Sequence, residues 1–253
     1  MYPVISVGSI QLPSYLLIIS LIYSTHVFWL TGRAAKFTFN RNRVLDVGMA
    51  VMVGGFIGAR LLHVIWEEPA YYWENPKEIF YFWQGGYVFF GGLIGAIVSG
   101  LFLLRKDKAD WFRWLDLFAP LVASGYALGR LSCLAAGCCY GKKTDVPWCI
   151  VFPQGVEAPR GICLHPSQVY SSLWEAAILG LLVYLEKKNR TLRVGQLFFI
   201  WLALHALGRI WQEFFRADFR GPVFMGLTIS TAIGVCLFLF ALYILRLLNK
   251  GKV

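Results

Sequence analysis

Apolar stretches of about twenty residues recur along the whole chain, and a run of that length spans the hydrocarbon of a bilayer as a helix. They fall near Leu12–Leu30, Val44–Trp66, Tyr87–Leu104, Leu115–Ala136, Gln168–Leu185, Gly195–Phe215 and Phe224–Leu245. Hydrophobic residues make up 58% of the sequence and charged ones 15%, against about 25% charged in ordinary soluble domains. Lipid, not water, is therefore the main solvent. The expectation is an all-α, polytopic membrane protein with about seven transmembrane helices.

The formal charge of +10 does not point to nucleic acid, because the cations sit in short clusters between apolar runs and no nucleic-acid-binding motif accompanies them. Counted through the segments between runs from the N-terminus, Lys plus Arg numbers 0, 4, 1, 4, 3, 4, 2 and 3. Cytoplasmic loops carry the excess of positive charge. Arg33/Lys36/Arg41/Arg43, Arg105/Lys106/Lys108/Arg113 and Lys187/Lys188/Arg190/Arg193 are thus expected inside, the N-terminus outside and the C-terminus in the cytoplasm. Met1 to Gln11 has no Lys or Arg and the first run lacks a small-residue cleavage site, so that run reads as a retained helix. The loop 141–167 is expected outside and irregular, since it holds Pro147, Pro153, Pro159 and Pro166. No linker divides the sequence, and residues 1–253 read as a single domain.

Ionisable groups within apolar runs cost roughly 2.5–3.5 kcal/mol each to insert, so each points to function. In this frame Arg60, Arg130, Arg209 and Glu213 occupy one outer layer. Arginine stays charged on burial and its planar fork grips two phosphate oxygens at once, which suits a phospholipid headgroup. His205, Arg209 and Glu213 recur every fourth residue and share one helical face, which Arg216 adjoins. The structural alternative makes Arg209 and Glu213 an ion pair and lets Arg60 snorkel to the interface. His26 and His63 read as interfacial or core residues. Gly85, Gly86, Gly91, Gly92 and Gly95 permit close approach of a helix or a ligand. Five of six cysteines, Cys133, Cys138, Cys139, Cys149 and Cys163, lie in or near the outer layer. Disulfides are the favoured reading there, with pairing open, and Cys236 reads as a packing residue. A zinc site is disfavoured because the spacing matches no standard ligand pattern, and no metal is expected. A reactive thiol at Cys138 or Cys139 stays open.

The sequence resembles the bacterial prolipoprotein diacylglyceryl transferases over nearly its whole length. The blocks that carry the likeness are Gly58-Ala59-Arg60-Leu61, Trp83-Gln84-Gly85-Gly86 leading to Gly91-Gly92-Leu93-Ile94-Gly95, and Asp116 with Pro120. Then follow Gly129-Arg130-Leu131 through Gly137 to Gly141, His165-Pro166-Ser167-Gln168-Val169-Tyr170, and Arg209 through Glu213-Phe214-Phe215-Arg216 with Asp218. The resemblance implies a multi-pass protein of the bacterial cytoplasmic membrane with its site on the extracytoplasmic side. It implies that phosphatidylglycerol donates its diacylglyceryl group to the lipobox cysteine of a preprolipoprotein signal peptide, forming a thioether and releasing glycerol phosphate. It further implies that Arg130 and Arg209 bind the donor phosphate, that Glu213 supports Arg209, and that Tyr15 belongs to the pocket. Arg60, Gln168 and His165 are expected as further pocket residues. No cofactor is expected, in keeping with the lack of a P-loop or dinucleotide fingerprint.

Four positions depart from the family pattern. Phe90 stands where a histidine usually precedes the Gly-Gly-Leu-Ile-Gly block, Cys133 where asparagine is common, Cys138 where glutamate is common, and His205 where a tyrosine precedes Arg209 by one turn. An acceptor thiol has an ordinary pKa near 8.5 and needs a base or a cationic setting. Either His205 or His165 takes the base role, or the arginine cluster lowers the thiol's pKa unaided. Two rival readings go with these changes: a divergent paralogue that binds or transports phospholipid, and an enzyme that transfers diacylglycerol to another acceptor.

Overall fold

A helix occupies each of the seven apolar runs in the computed structural model, which describes residues 4–7, 10–82, 85–105, 110–188, 192–218, 223–224 and 227–251. The Trp83-Gln84 pair, and Lys106, Lys108 and Arg190 of the expected cytoplasmic clusters, lie outside the described residues. In chain order the helices are α1 Ser14–Arg33, α2 Arg41–Leu62, α3 Pro69–Glu74, α4 Phe89–Leu104, α5 Trp111–Ala136, α6 Ser167–Lys188, α7 Gln196–Gln212 and α8 Ile229–Asn249. A π-helical turn, His63–Glu67, extends α2. Among the described residues, four helical stretches are long and apolar enough to cross a membrane: Arg41–Glu67, Trp111–Ala136, Ser167–Lys188 and Ile229–Asn249; Phe89–Leu104 is apolar but shorter. The protein is thus a predominantly helical, multi-pass membrane protein. Short antiparallel hairpins pair β1 Val4–Val7 with β2 Ile10–Pro13, β3 Ile150–Val151 with β4 Cys163–Leu164, and β5 Val223–Phe224 with β6 Leu227–Thr228.

Two compact units result, one of residues 27–111 and the other of residues 1–26 with 112–253. In the first, Asn40 caps α2 by accepting from the amides of Asn42 (2.8 Å) and Arg43 (3.4 Å). Helices α2 and α4 cross on glycines. A Cβ at Gly58 would stand 2.3 Å from the Gly91 carbonyl oxygen, and one at Gly95 would stand 2.1 Å from that of Gly54. The glycine block therefore serves backbone contact between two helices, where lipid offers no hydrophobic drive and close packing must hold them.

In the second unit, α5 to α7 pack through Ala119, Ala123, Ile178, Leu182, Leu197 and Trp201. Asp116 on α5 accepts from the amides of Gly195 (2.6 Å) and Phe198 (2.9 Å), which caps the start of α7 from a neighbouring helix. That contact fixes α7 against α5, and so sets the level at which Arg209 meets Arg130.

The 141–167 segment is more ordered than its prolines suggest. It carries the β3–β4 hairpin, a Cys149–Cys163 disulfide with Cα atoms 5.4 Å apart, and a small core of Phe152, Ala158 and Leu164 packed on Leu134 and Tyr140. The prolines sit between these fixed points. The cross-link and the buried phenylalanine supply the order that local sequence does not.

Candidate active site

The second unit gathers its ionisable groups around Tyr126, one turn before Arg130 on α5. The Arg130 guanidinium lies 4.6 Å from the centre of the Tyr126 ring, and its Nη2 donates to the Tyr126 hydroxyl. The His205 imidazole meets the same ring edge to face at 4.7 Å. Tyr126 and the charge of Arg130 also act on Arg209. Side chains from α5 and α7 thus share one polar locus, which brings together Arg130, Arg209 and His205.

Arg209 donates from Nη2 to Ser230 at the start of α8. Its Nη1 is buried and, among the described residues, has no hydrogen-bond partner. A stranded buried donor costs about 1–3 kcal/mol, and more when charged. Glu213 follows α7 and accepts from Thr228 Oγ1 (2.9 Å), the residue that caps α8. Among the described residues no ion pair joins Glu213 to Arg209. Both instead hold the N-terminal turn of α8, through Thr228 and Ser230. That turn couples them.

His205 is tied to a residue that sequence reasoning passed over. Its Nδ1 pairs with Glu175 on α6, a carboxylate only 1% exposed, which also accepts from Trp201 Nε1 (3.3 Å). Trp201 stacks on the imidazole at 5.1 Å. A carboxylate at Nδ1 keeps the hydrogen on that nitrogen and leaves Nε2 as the proton acceptor. Glu175 is a charge inside an apolar run, so the rule that singled out Arg130 would have found it.

After α5 the chain doubles back. Gly137 adopts φ +74°, the Cys138 amide bonds the Cys133 carbonyl (3.1 Å), and Cys139 takes a left-handed φ of +58°. The Cys133, Cys138 and Cys139 sulfurs consequently lie within 4.8 Å of one another. Two side chains at the start of α6 clamp this turn: Gln168 Nε2 donates to the Cys138 carbonyl and Ser167 Oγ to that of Cys139, each at 2.7 Å. The Cys139 thiol is pushed well below its usual range, first by the neighbouring Cys133 and Cys138 thiols and then by the charges of Arg130 and Arg216, while Cys138 is pushed up by the same thiol contacts. Tyr15 on α1 faces the three thiols electrostatically. Backbone bonds from Lys142 to Phe215 (2.7 Å) and from Ala217 to Tyr140 (3.2 Å) bring Arg216 to this locus. There it is clamped by both Asp218 oxygens, at 2.9 and 2.6 Å.

His165 sits at the edge of this assembly. Its Nδ1 is 3.1 Å from the Tyr170 hydroxyl and its ring packs edge to face on Phe215 at 5.3 Å. A Cβ at Gly141 would fall 2.3 Å from the His165 carbonyl oxygen, so a glycine is needed for that close approach. Arg60 belongs to the other unit and is 7% exposed. It makes four hydrogen bonds to the carbonyls of Glu78, Ile79, Gly85 and Gly86, at 2.6, 3.2, 2.6 and 3.3 Å, and lies 5.2 Å from the centre of the Tyr72 ring. In this geometry it fastens the backbone at Glu78, Ile79, Gly85 and Gly86. Phe90 is half exposed and packs edge to face on Phe89, and has no proton-accepting group to offer.

An apolar groove of about 350 Å³ runs between α1 and α5, lined by Ile18, Leu21, Ile22, Thr25, Leu128 and Leu131. Guanidinium groups brought to one locus from separate helices of a membrane protein suit an anionic group. Comparison with known proteins identifies the family. Residues 3–247 match the prolipoprotein diacylglyceryl transferase family, and the chain belongs to it. It is 33% identical over 235 residues to the phosphatidylglycerol--prolipoprotein diacylglyceryl transferase of Geobacter sulfurreducens, covering 89% of this chain and 87% of that protein. The enzymes of the same name from Nitrosomonas europaea (35% over 237 residues, 91% and 82% covered) and Clostridium tetani (33% over 212 residues, 84% and 82% covered) are similarly close.

Proposed function

We propose that this chain transfers the diacylglyceryl group of phosphatidylglycerol to the lipobox cysteine of a preprolipoprotein signal peptide, at the outer face of a bacterial cytoplasmic membrane. The thiol sulfur forms a bond to the glyceryl carbon, the carbon–oxygen bond to phosphate breaks, and glycerol phosphate leaves. The observation that carries this reading is Arg209, buried with a charged donor free and electrostatically coupled through Tyr126 to Arg130 on another helix. A phosphate placed there satisfies the stranded donor. Its negative charge grows as the carbon–oxygen bond breaks, which is where preorganised cations lower a barrier.

Family membership and the ladder of seven helices support seven spans with the N-terminus outside and the C-terminus in the cytoplasm. The disulfide in the 141–167 segment supports placing that end of the helices in an oxidising compartment. The groove between α1 and α5 suits an acyl chain. Tyr15, Gln168 and His165 are assigned to the rim of the pocket. Glu213 orients Arg209 indirectly, through the Thr228–Ser230 turn.

With Phe90 unable to take a proton, His205 is assigned as the base. Glu175 holds its Nδ1, and Nε2 receives the thiol proton. The test is purified protein with phosphatidylglycerol and a lipobox peptide. Glycerol phosphate and a thioether product are expected, with both lost in Arg130→Gln and Arg209→Gln. A second reading, phospholipid binding without transfer, is favoured by Phe90 alone, and predicts lipid bound with no glycerol phosphate released.

A further inference from the structure

The transfer proposed above uses none of the three free thiols that the α5 turn brings together. Cys133 lies on the last turn of α5, Cys138 and Cys139 on the doubled-back segment, and all three are half buried, so an ion can reach them. Their sulfurs already lie within 4.8 Å of one another. Zinc–thiolate bonds of about 2.3 Å in a tetrahedral site separate ligand sulfurs by about 3.8 Å. Ser167 and Gln168 already fix the backbone of Cys138 and Cys139. The left-handed φ of Cys139 is the second sign of a built site, since a non-glycine residue in that conformation is uncommon and its surroundings must enforce it.

We infer that Cys133, Cys138 and Cys139 form a trithiolate site for one thiophilic cation of the zinc class. Three thiolates and a divalent cation carry a single net negative charge, which the nearby Arg130 and Arg216 guanidinium groups offset. The fourth coordination position is left open. The spacing hides such a site, because two of its ligands are adjacent in sequence and only the turn at Gly137 returns them to the third. The site adjoins the proposed pocket, since Arg130, Tyr15 and Gln168 flank it, and its test uses no activity, so its failure and that of the transfer reading are distinguishable.

The full chain, purified in detergent, stripped with a chelator and desalted, is titrated with zinc and, separately, with cadmium. About one equivalent of zinc should be retained by elemental analysis, and cadmium should give an ultraviolet thiolate-to-metal charge-transfer band. Cys138→Ser should weaken binding by more than about 10-fold, the lower end of what losing merely an outer-shell partner costs, whereas Cys236→Ser on α8 should leave it unchanged. In the wild-type chain, where no substitution can upset folding, zinc should protect three of the four free cysteines from maleimide labelling. Labelling of all four with zinc present, full binding by Cys138→Ser, or a mass showing a disulfide within the cluster each overturns the assignment.

Discussion

If Glu175 acts through His205, Glu175→Gln must slow transfer without emptying the pocket. The carboxylate is 1% exposed and accepts from both His205 Nδ1 and Trp201 Nε1. Glutamine keeps the volume and one acceptor oxygen, so packing and a neutral hydrogen bond survive. Hydrogen bonds to a charged group contribute about 1.5–3 kcal/mol and neutral ones about 0.5–1.5 kcal/mol. The variant therefore loses about 1–2 kcal/mol of support for the imidazolium that forms as the thiol gives up its proton, a slowing of about 5- to 30-fold. The assay is glycerol phosphate release against phosphatidylglycerol concentration, with a saturating lipobox peptide. The kcat should fall and KM for the lipid should hold. His205→Gln should cost more, and the double variant no more than His205→Gln alone, since residues that act as one unit are not additive. Independent, multiplying losses, or a raised KM with kcat intact, would refute the reasoning and return Glu175 to the role of a buried packing group.

Arg209→Lys keeps the charge but not the planar fork, and loses about 1.5–3 kcal/mol of charged hydrogen bonding; kcat/KM should drop about 10- to 150-fold, and a wild-type value would remove Arg209 from the phosphate. Arg60→Gln should lower thermal stability in detergent, by about 1–3 kcal/mol for each carbonyl it strands, with KM for phosphatidylglycerol unchanged; a raised KM at an unchanged melting temperature would put Arg60 back in the pocket. Gly95→Leu forces a side chain into the Gly54 carbonyl 2.1 Å away, and overpacking of that kind costs about 1–3 kcal/mol or more, to be read as lost folded protein on gel filtration. Cys149→Ser opens a loop closed over a separation of 14 residues and should cost about 3 kcal/mol; the wild-type chain should lose a similar amount on reduction, and the variant should be indifferent to reductant.

Much of the helical ladder was legible because a bilayer demands one signal, a long apolar run, and every such run carries a helix. The arginines were legible for the same reason inverted. A guanidinium at depth stands out against an apolar background, and Arg130 and Arg209 do converge. Depth is all that such a signal conveys. Arg60 carries the same signal, yet its donors are spent on four backbone carbonyls of a segment 18 to 26 residues downstream. No periodicity in α2 could reveal that the chain would return there.

The turn after α5 shows the converse. Proline content argued for an irregular 141–167 segment, and spacing left the pairing of the cysteines open. Both signals are local, and the structure is decided by contacts between distant residues. Val156 packs over Gly137, Cys149 joins Cys163, and Ser167 and Gln168 reach back to grip the carbonyls of Cys138 and Cys139. The same long-range logic assembles the chemistry. Phe90 stands where the resemblance leads one to expect a histidine, and the imidazole assigned as base in our reading became visible only once α6 placed Glu175 against His205. A histidine alone on a helical face is ordinary. A histidine with a buried carboxylate at one nitrogen, a stacked indole on its face and an arginine-bound tyrosine at its edge is oriented, and orientation is what proton transfer from an acceptor thiol requires.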